Sequence, residues 1–431
     1  MRILVVGGGA REHAVCWKLS QSASIDRVYA APGNAGMAEL ATLAPVSAAD
    51  VEGIVEFADQ GSIDLTVVGP EAPLVAGLAD EMQARGMAVF GPTREAARIE
   101  GSKGWARWLC DKHGIPSPRS EEFEEMKPAL DYLDEMGEPP YVVKADGLAA
   151  GKGVTVAEDR AGAVRALEDC LVHHLFGEAG RKVVVEEYLR GWEVSAMALT
   201  DGRAVLPLAL AHDYKRAQDG DQGPNTGGMG AFSPLPMIGP DMEARVVTAV
   251  LEPAIQGLRE EGVDYRGVLY AGLMMTGDGP KVLEFNCRFG DPEAQVVLRR
   301  LQANLPEVLL ACIEGNLAAY LLNWAPEVCV GVVMASAGYP GPVRAGKPIT
   351  GLAEAASIEG VQVFHGGTAL REGRVVSAGG RVLTVTALGS DQEDARRRAY
   401  EACSLIEFEG KAYRTDIAST EGLTKLPEGS G

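Results

Sequence analysis

Two lysines bracket a run of glycines in YVVKADGLAAGKGV at 141–154, and that spacing suits phosphate. An apolar run reads as a strand that delivers Lys144 to its end, and Gly147, Gly151 and Gly153 then surround Lys152. Glycines let backbone N–H groups close around phosphate oxygens while ammonium groups offset the charge. Lys152 is followed by Gly153 and not by Ser or Thr, so this is not a Walker A loop. A plain hairpin with solvated lysines is the other reading, and it leaves the spacing unexplained. KVLEFNCRFGDPE at 281–293 carries complementary chemistry. As a strand, its period of two puts Glu284, Asn286 and Arg288 on one face. Glu and Asn oxygens are hard ligands suited to a Mg2+ that also touches phosphate. The Arg288 fork can hold a carboxylate or a developing phosphoryl charge. A structural ion pair between Glu284 and Arg288 would leave Asn286, Asp291 and Glu293 without a role.

Three further segments bear on the same chemistry. In VVVEEYLRGWEVS at 183–195 an apolar strand turns acidic at Glu186 and Glu187 and reaches Glu193 across a turn. A strand end suits a purine edge and a carboxylate suits ribose hydroxyls, although by itself a solvated strand end explains the pattern better. HDYKR at 212–216 precedes an uncharged stretch, 222–240, that contains GPNTGGMG. A loop of that length in a compact domain is functional or disordered, and Asp213, Lys215 and Asn225 beside it favour a lid over a substrate. VVGGGAREHA at 5–14 runs from a strand through glycines into a helix, but Glu12 stands where a dinucleotide fingerprint needs its third glycine. A phosphate seat at the helix N-terminus and a tight structural turn are equally good readings of it.

These residues need elements to position them. Apolar runs at 3–6, 27–31, 65–68 and 87–90 alternate with helical patterns at 11–20, 51–60 and 74–85. That rhythm predicts a parallel, doubly wound sheet over residues 1–101. The middle, 102–326, reads as strands at 141–144, 154–157, 182–187, 267–275 and 281–286, with a helix over 241–261. Beyond it, 327–420 mixes strands with a helix at 391–405 as a small α+β unit, and 421–431 reads as a flexible tail.

Composition removes several classes. Forty Lys+Arg against 60 Asp+Glu leave a net charge of −20, which repels a nucleic-acid backbone. An anionic substrate must therefore find a local basic or N–H site. Seven cysteines without a C-x-x-C pair argue against a disulfide scaffold and a zinc cluster, and fit a cytoplasmic protein. The N-terminus lacks the form of a signal peptide, and 222–240 holds too many Gly and Pro for a membrane helix. Six scattered histidines offer no Ser–His or Cys–His arrangement.

With these motifs in hand, the chain resembles the phosphoribosylamine–glycine ligase family of the ATP-grasp superfamily. The matching segments are REHA at 11–14, PGNAG at 32–36, VGPEAPL at 68–74, EGSK at 100–103, KADGLAAGKGV at 144–154, GPNTGGMGA at 223–231, EFNCRFGDPE at 284–293 and GGRVLTVTALG at 379–389. The resemblance implies an ATP-grasp centre with a mobile lid at about 120–192. It implies an ADP-forming carbon–nitrogen ligase of purine biosynthesis that joins glycine to 5-phosphoribosylamine through glycyl phosphate. Another ATP-grasp carboxylate–amine ligase is the alternative. By position, Lys103, Lys144, Gly151, Lys152 and Gly153 would meet ATP phosphates, with Glu186, Glu187 and Leu189 at the adenine and Glu193 at the ribose. Glu284 and Asn286 match the family's ligands for Mg2+ or Mn2+. Arg288 matches the glycine-carboxylate side, with Lys215 and Asp213 beside the reacting groups. Gly9, Gly33, Asn34, Pro70, Glu71, Asn225, Asp291 and Glu293 would meet the substrates. A cytoplasmic monomer with no nucleic-acid or membrane partner is expected. The chain departs from the family pattern at Gly8, Ala10 and Trp192.

Overall fold

The computed structural model describes residues 1–149 and 153–419. Its first sheet is built from β1 (Arg2–Gly7), β2 (Arg27–Pro32), β3 (Thr42–Leu43), β4 (Leu65–Val68) and β5 (Val89–Phe90), in the order β3-β2-β1-β4-β5. Every pair in it is parallel. Ile3, Leu4, Val5 and Val6 are all fully buried, as expected of a strand with helices over both faces. The strand order reverses between β1 and β4, so the crevice beyond their carboxyl ends is the natural place for a ligand. The helix expected at 74–85 is two helices, Glu71–Ala76 and Leu78–Ala84, because Gly77 between them adopts φ 95°.

A second sheet, with order β6-β9-β7-β8, comprises β6 (Ser120–Phe123), β7 (Tyr141–Ala145), β8 (Val154–Ala157) and β9 (Val183–Glu187). Its pairs are antiparallel, and helices Met126–Met136 and Arg160–Leu171 cover it. Leu133, Val143, Leu167 and Val185 belong to a core of its own, separate from the rest of the molecule.

The chain continues through β10 (Trp192–Thr200), β11 (Val205–Pro207), β12 (His212–Asp213), β13 (Arg216–Gln218), β14 (Gln222–Asn225), β15 (Gly230–Ser233), β16 (Gly267–Thr276) and β17 (Gly279–Asn286). The uncharged stretch expected as one loop therefore contains two strands. β14 forms a hairpin with β13, and β15 joins a larger sheet. The helix expected over 241–261 is also interrupted. A π-helical turn, Val247–Leu251, separates Pro240–Val246 from Glu252–Glu260. Pro253 lacks the N–H that would continue the regular ladder.

The last strands are β18 (Val328–Ala335), β19 (Val361–His365), β20 (Thr368–Arg371), β21 (Arg374–Ser377) and β22 (Arg381–Gly389), with helix Gln392–Leu405 packed on β18 and β22. β18, β19 and β22 lie in a sheet of order β12-β15-β18-β22-β19, which two strands of the middle region complete, while β20 and β21 pair with each other. β10, β11, β16 and β17 form the remaining large sheet, in the order β11-β10-β16-β17. Among the described residues no helix is long and apolar enough to cross a membrane.

Candidate functional site

A cleft of about 1260 Å³ lies where these sheets meet. Its first wall forms around β17. Gly272 of β16 faces Glu284 while Leu273 faces Val282, so Leu283 is an extra residue, a β-bulge. The bulge breaks the period of two. Val282 and Phe285 both enter the core, while Glu284 and Asn286 line the cleft. Bulging also turns backbone carbonyls toward cations. Arg107 donates to the oxygens of Val282 (2.7 Å) and Leu283 (2.6 Å), and Lys144 Nζ donates to Leu283 at 2.9 Å.

Lys144 and Arg107 share one carboxylate. Glu186 Oε2 lies 2.7 Å from Lys144 Nζ, and Glu186 Oε1 accepts from Arg107 Nε at 2.7 Å. All three side chains are buried. Burial alone would raise Glu186, but Lys144 and Arg107 outweigh it and hold the carboxylate below its usual range. Two cations on one anion leave a surplus positive charge facing the cleft. Burial lowers the Lys144 ammonium, and Glu186 counters that effect. Lys103 begins the helix Lys103–His113, which Ser102 caps, and its Nζ donates to the Gly147 carbonyl at 3.0 Å. Gly153 lines the cleft with Lys103 and Lys144, whereas Gly151 and Lys152 lie outside the described residues.

Glu193 and Lys215 face each other, with Lys215 Nζ at 3.0 Å from Glu193 Oε2 and 3.9 Å from Glu284 Oε1. Glu284 is half-buried, and Lys215, Lys144, Lys103 and Arg288 outweigh its desolvation and keep it ionised. Asn286 Oδ1 accepts one hydrogen bond, from Arg288 Nη2 at 3.0 Å. An amide oxygen has two lone pairs. An ionised carboxylate and a neighbouring amide oxygen thus fit a hard divalent cation. No cluster of three or more His, Cys, Asp or Glu able to hold a metal occurs among the described residues.

Arg288 lies past the end of β17, and its partner is not Glu284. It pairs with Glu71 (3.2 Å) and Glu100 (3.0 Å), tying the helices Glu71–Ala76 and Arg94–Gly101 to the end of β17. Asp213 is buried and its Oδ1 has no hydrogen-bond partner among the described residues. Burial, then the charge of Glu293, raises its pKa well above the usual carboxylate range. Glu293 accepts from Ser195 (2.7 Å) and Tyr270 (2.9 Å), and Asp291 pairs with Arg381 at 3.0 Å.

Several expected contacts fall differently. Pro70, Glu71, Glu187, Leu189 and Asn225 line the cleft, but Gly9, Gly33 and Asn34 do not. The Asn34 amide is fully engaged, accepting from Gly36 and Met37 and donating to the oxygens of Gly8 and His365. The Gly9 N–H donates to Glu12 at 2.7 Å, so the chain's own carboxylate occupies the turn read as a phosphate seat. The Glu186 carboxylate points to Lys144 and Arg107. Reasoning from sequence missed Arg11, Glu100, Arg107, Tyr339, Arg381 and Arg414, all on the cleft wall. Arg11, Glu100 and Arg381 sit inside segments already singled out at 11–14, 100–103 and 379–389. Arg107 and Arg414 carried no local signal.

Comparison with known proteins follows the same outline. Models of phosphoribosylglycinamide synthetase match residues 1–100 (N domain), 101–294 (ATP-grasp domain) and 329–420 (C domain). The phosphoribosylamine–glycine ligase of Brucella melitensis is 48% identical over 417 residues, covering 97% of this chain and 97% of that protein. The crystal structure of phosphoribosylamine–glycine ligase from Thermotoga maritima matches with a TM-score of 0.84 at 34% identity, covering 97% of this chain and 100% of that one. The biotin carboxylase domain of Hydrogenobacter thermophilus 2-oxoglutarate carboxylase matches with a TM-score of 0.74 at 15% identity, covering 95% of this chain and 91% of that one, a likeness of fold alone.

Proposed function

The chain belongs to the phosphoribosylglycinamide synthetase family and is an ADP-forming carbon–nitrogen ligase joining glycine to phosphoribosylamine in purine biosynthesis, and on that premise we propose how its cleft performs the reaction. We assign the ATP phosphates to Lys103, Lys144 and the loop of Gly151, Lys152 and Gly153. The adenine lies along the backbone from Glu186 and Glu187 to Leu189, and the ribose lies toward Glu193. Glycine sits by Arg288. Phosphoribosylamine takes the wall of Pro70, Glu71, Asn225, Asp291 and Glu293, while Gly9, Gly33 and Asn34 act through the loops they shape.

A glycine carboxylate oxygen attacks the γ-phosphorus, the bond to the β–γ bridging oxygen breaks, and ADP leaves with that oxygen. Glycyl phosphate forms. The phosphoribosylamine nitrogen then attacks the glycyl carbonyl carbon, the carbon–oxygen bond to phosphate breaks, and inorganic phosphate departs. Lys144, Lys103 and Lys215 offset charge on the moving phosphoryl group from fixed positions. Asp213 takes the proton that the attacking amine loses, and its raised pKa and unpartnered Oδ1 support that role. Glu284 and Asn286 would hold a divalent cation, Mg2+ or Mn2+, which would add neutralisation of the phosphates. All seven cysteines are free and buried, which supports a reducing, cytoplasmic setting.

One observation carries this reading: the buried Lys144 of β7 stands 2.9 Å from the Leu283 carbonyl of β17, in the cleft that Glu284 and Asn286 also line. The test uses glycine carrying 18O in its carboxylate. Label is expected in released phosphate, with ADP as the nucleotide product. Unlabelled phosphate, or label in AMP, overturns phosphoryl activation.

A further inference from the structure

The segment after helix Gln392–Leu405 returns to the cleft and brings a buried arginine with it. Arg414 is 1% exposed, yet it belongs to the cleft wall. Its guanidinium is engaged on every side. Nε and Nη2 donate to Asp416 at 2.7 and 2.6 Å, and Nη1 donates to Asp221 (2.7 Å) and to the Arg216 carbonyl (3.0 Å). The same group lies 4.9 Å over the ring of Tyr214. Neighbouring residues extend the grip. The backbone N–H and hydroxyl of Thr415 donate to Asp219, Gly220 N donates to Asp416, and Ala418 N donates to the Tyr214 hydroxyl at 3.0 Å.

Two things are held by this grip. The first is the β13–β14 hairpin, whose residues from Gln218 to Gly223 are all exposed, so no apolar burial secures it. The second is Tyr214, buried between Asp213 and Lys215 in sequence. Tyr214 N donates to Gly230, and the Lys215 carbonyl accepts from Thr226 at 2.8 Å, so this stretch is fixed on the cleft side as well. Ion pairs to partners as exposed as Asp221 add little to stability. The fixed fork of Arg414 does give a single geometry to whatever it touches.

We propose that Arg414 is a positioning residue for the ligation: by holding Tyr214 and the β13–β14 hairpin it sets Asp213 and Lys215 at the reacting groups. This rests on the reading of Asp213 and Lys215 given above. The experiment measures ADP release by full-length Arg414→Ala and Lys215→Ala, with ATP, glycine and phosphoribosylamine varied in turn. The expected result for Arg414→Ala is a kcat lower by about 10²-fold, the cost of misplaced reacting groups, with the KM for ATP unchanged. Guanidinium ion is expected to restore part of that rate and ammonium ion is not. A folded Arg414→Ala with parental kcat overturns the proposal, and so does a lost rate that guanidinium leaves untouched. Should Arg414→Ala fail to fold, Asp219→Asn with Thr415→Val cuts the same grip at exposed positions. There a lowered kcat at unchanged ATP KM supports the proposal and a parental kcat overturns it. A parental rate in Lys215→Ala overturns instead the reading of the site beneath it.

Discussion

At the end of β1 and at the end of β7 the chain brings glycines, a carboxylate and a cation together, yet the charge is counted differently. At β1, Glu12 accepts from the Gly9 N–H and from Arg11 at 2.6 Å, so one anion meets one cation and the turn is closed. A Cβ at Gly7 would stand 2.5 Å from Glu12 Cγ, and one at Gly69 would also strike that side chain. Those glycines make room for the protein's own carboxylate. At β7, Glu186 meets both Lys144 and Arg107, and Lys103 and Lys215 line the same cleft. Lys215 is partnered by Glu193, whereas among the described residues Lys103 donates only to backbone carbonyls, so its charge is left without a paired carboxylate. A glycine turn is an anion site only where the chain does not provide the anion itself.

The largest effect should come from β7. Lys144→Met is expected to lower kcat/KM for ATP by about 10³-fold, the upper range for one electrostatic donor in a closed site. Steady-state ADP release measures it, and a loss below tenfold would erase the contrast between the two strand ends. Glu12→Gln tests the other end. It is expected to cost about 1.5–3 kcal/mol of stability through a lost charged hydrogen-bond partner, with the KM for ATP unchanged. Urea midpoints together with ATP titration show which region the change reaches. If the change fell on substrate binding at unchanged stability, β1 would hold phosphate after all.

The smallest effect concerns the contact that ties the β1 turn to the last sheet. His13 Nδ1 accepts from the His365 N–H at 2.8 Å. Burial, with His365 contributing, lowers His13 to about 3, and burial lowers His365 to about 4. Imidazoles in the unfolded chain titrate near 6.5, so the unfolded state takes up protons first. Stability is whole above that value and is lost as the pH falls toward the folded values. Between pH 6.5 and 5.5 each histidine should cost about 1 kcal/mol. His365→Gln should flatten the pH dependence of the urea midpoint over that interval, and an unchanged slope would separate the histidines from acid sensitivity.

Much of this arrangement was legible along the chain, and the exceptions share a cause. Apolar runs located four of the five strands of the first sheet and both halves of the β7–β8 pair, because burial on a pleated surface leaves a local pattern; the two-residue, exposed β3 left none. The same pattern missed the bulge at Leu283, since only the register against β16 shows that one residue is extra. It missed the split helix at Gly77, where one positive φ outweighs an amphipathic run. It read 222–240 as a loop because β15 finds its partner in β18, about a hundred residues on.

From its order of residues alone, the chain declared which groups are present and which neighbours share a face: Lys144 at a strand end, Glu284 and Asn286 two apart, Asp213 and Lys215 two apart. Local periodicity and chemistry suffice for that. Which of these groups remain free was decided by the fold. Glu186 is committed to Lys144 and Arg107, Arg288 to Glu71 and Glu100, and Asn34 to its own loop. Each commitment joins residues far apart in the chain or closes a turn on itself. Charge and hydrogen-bond balance is settled over distances of a few ångströms in space, and separation in sequence has no bearing on it.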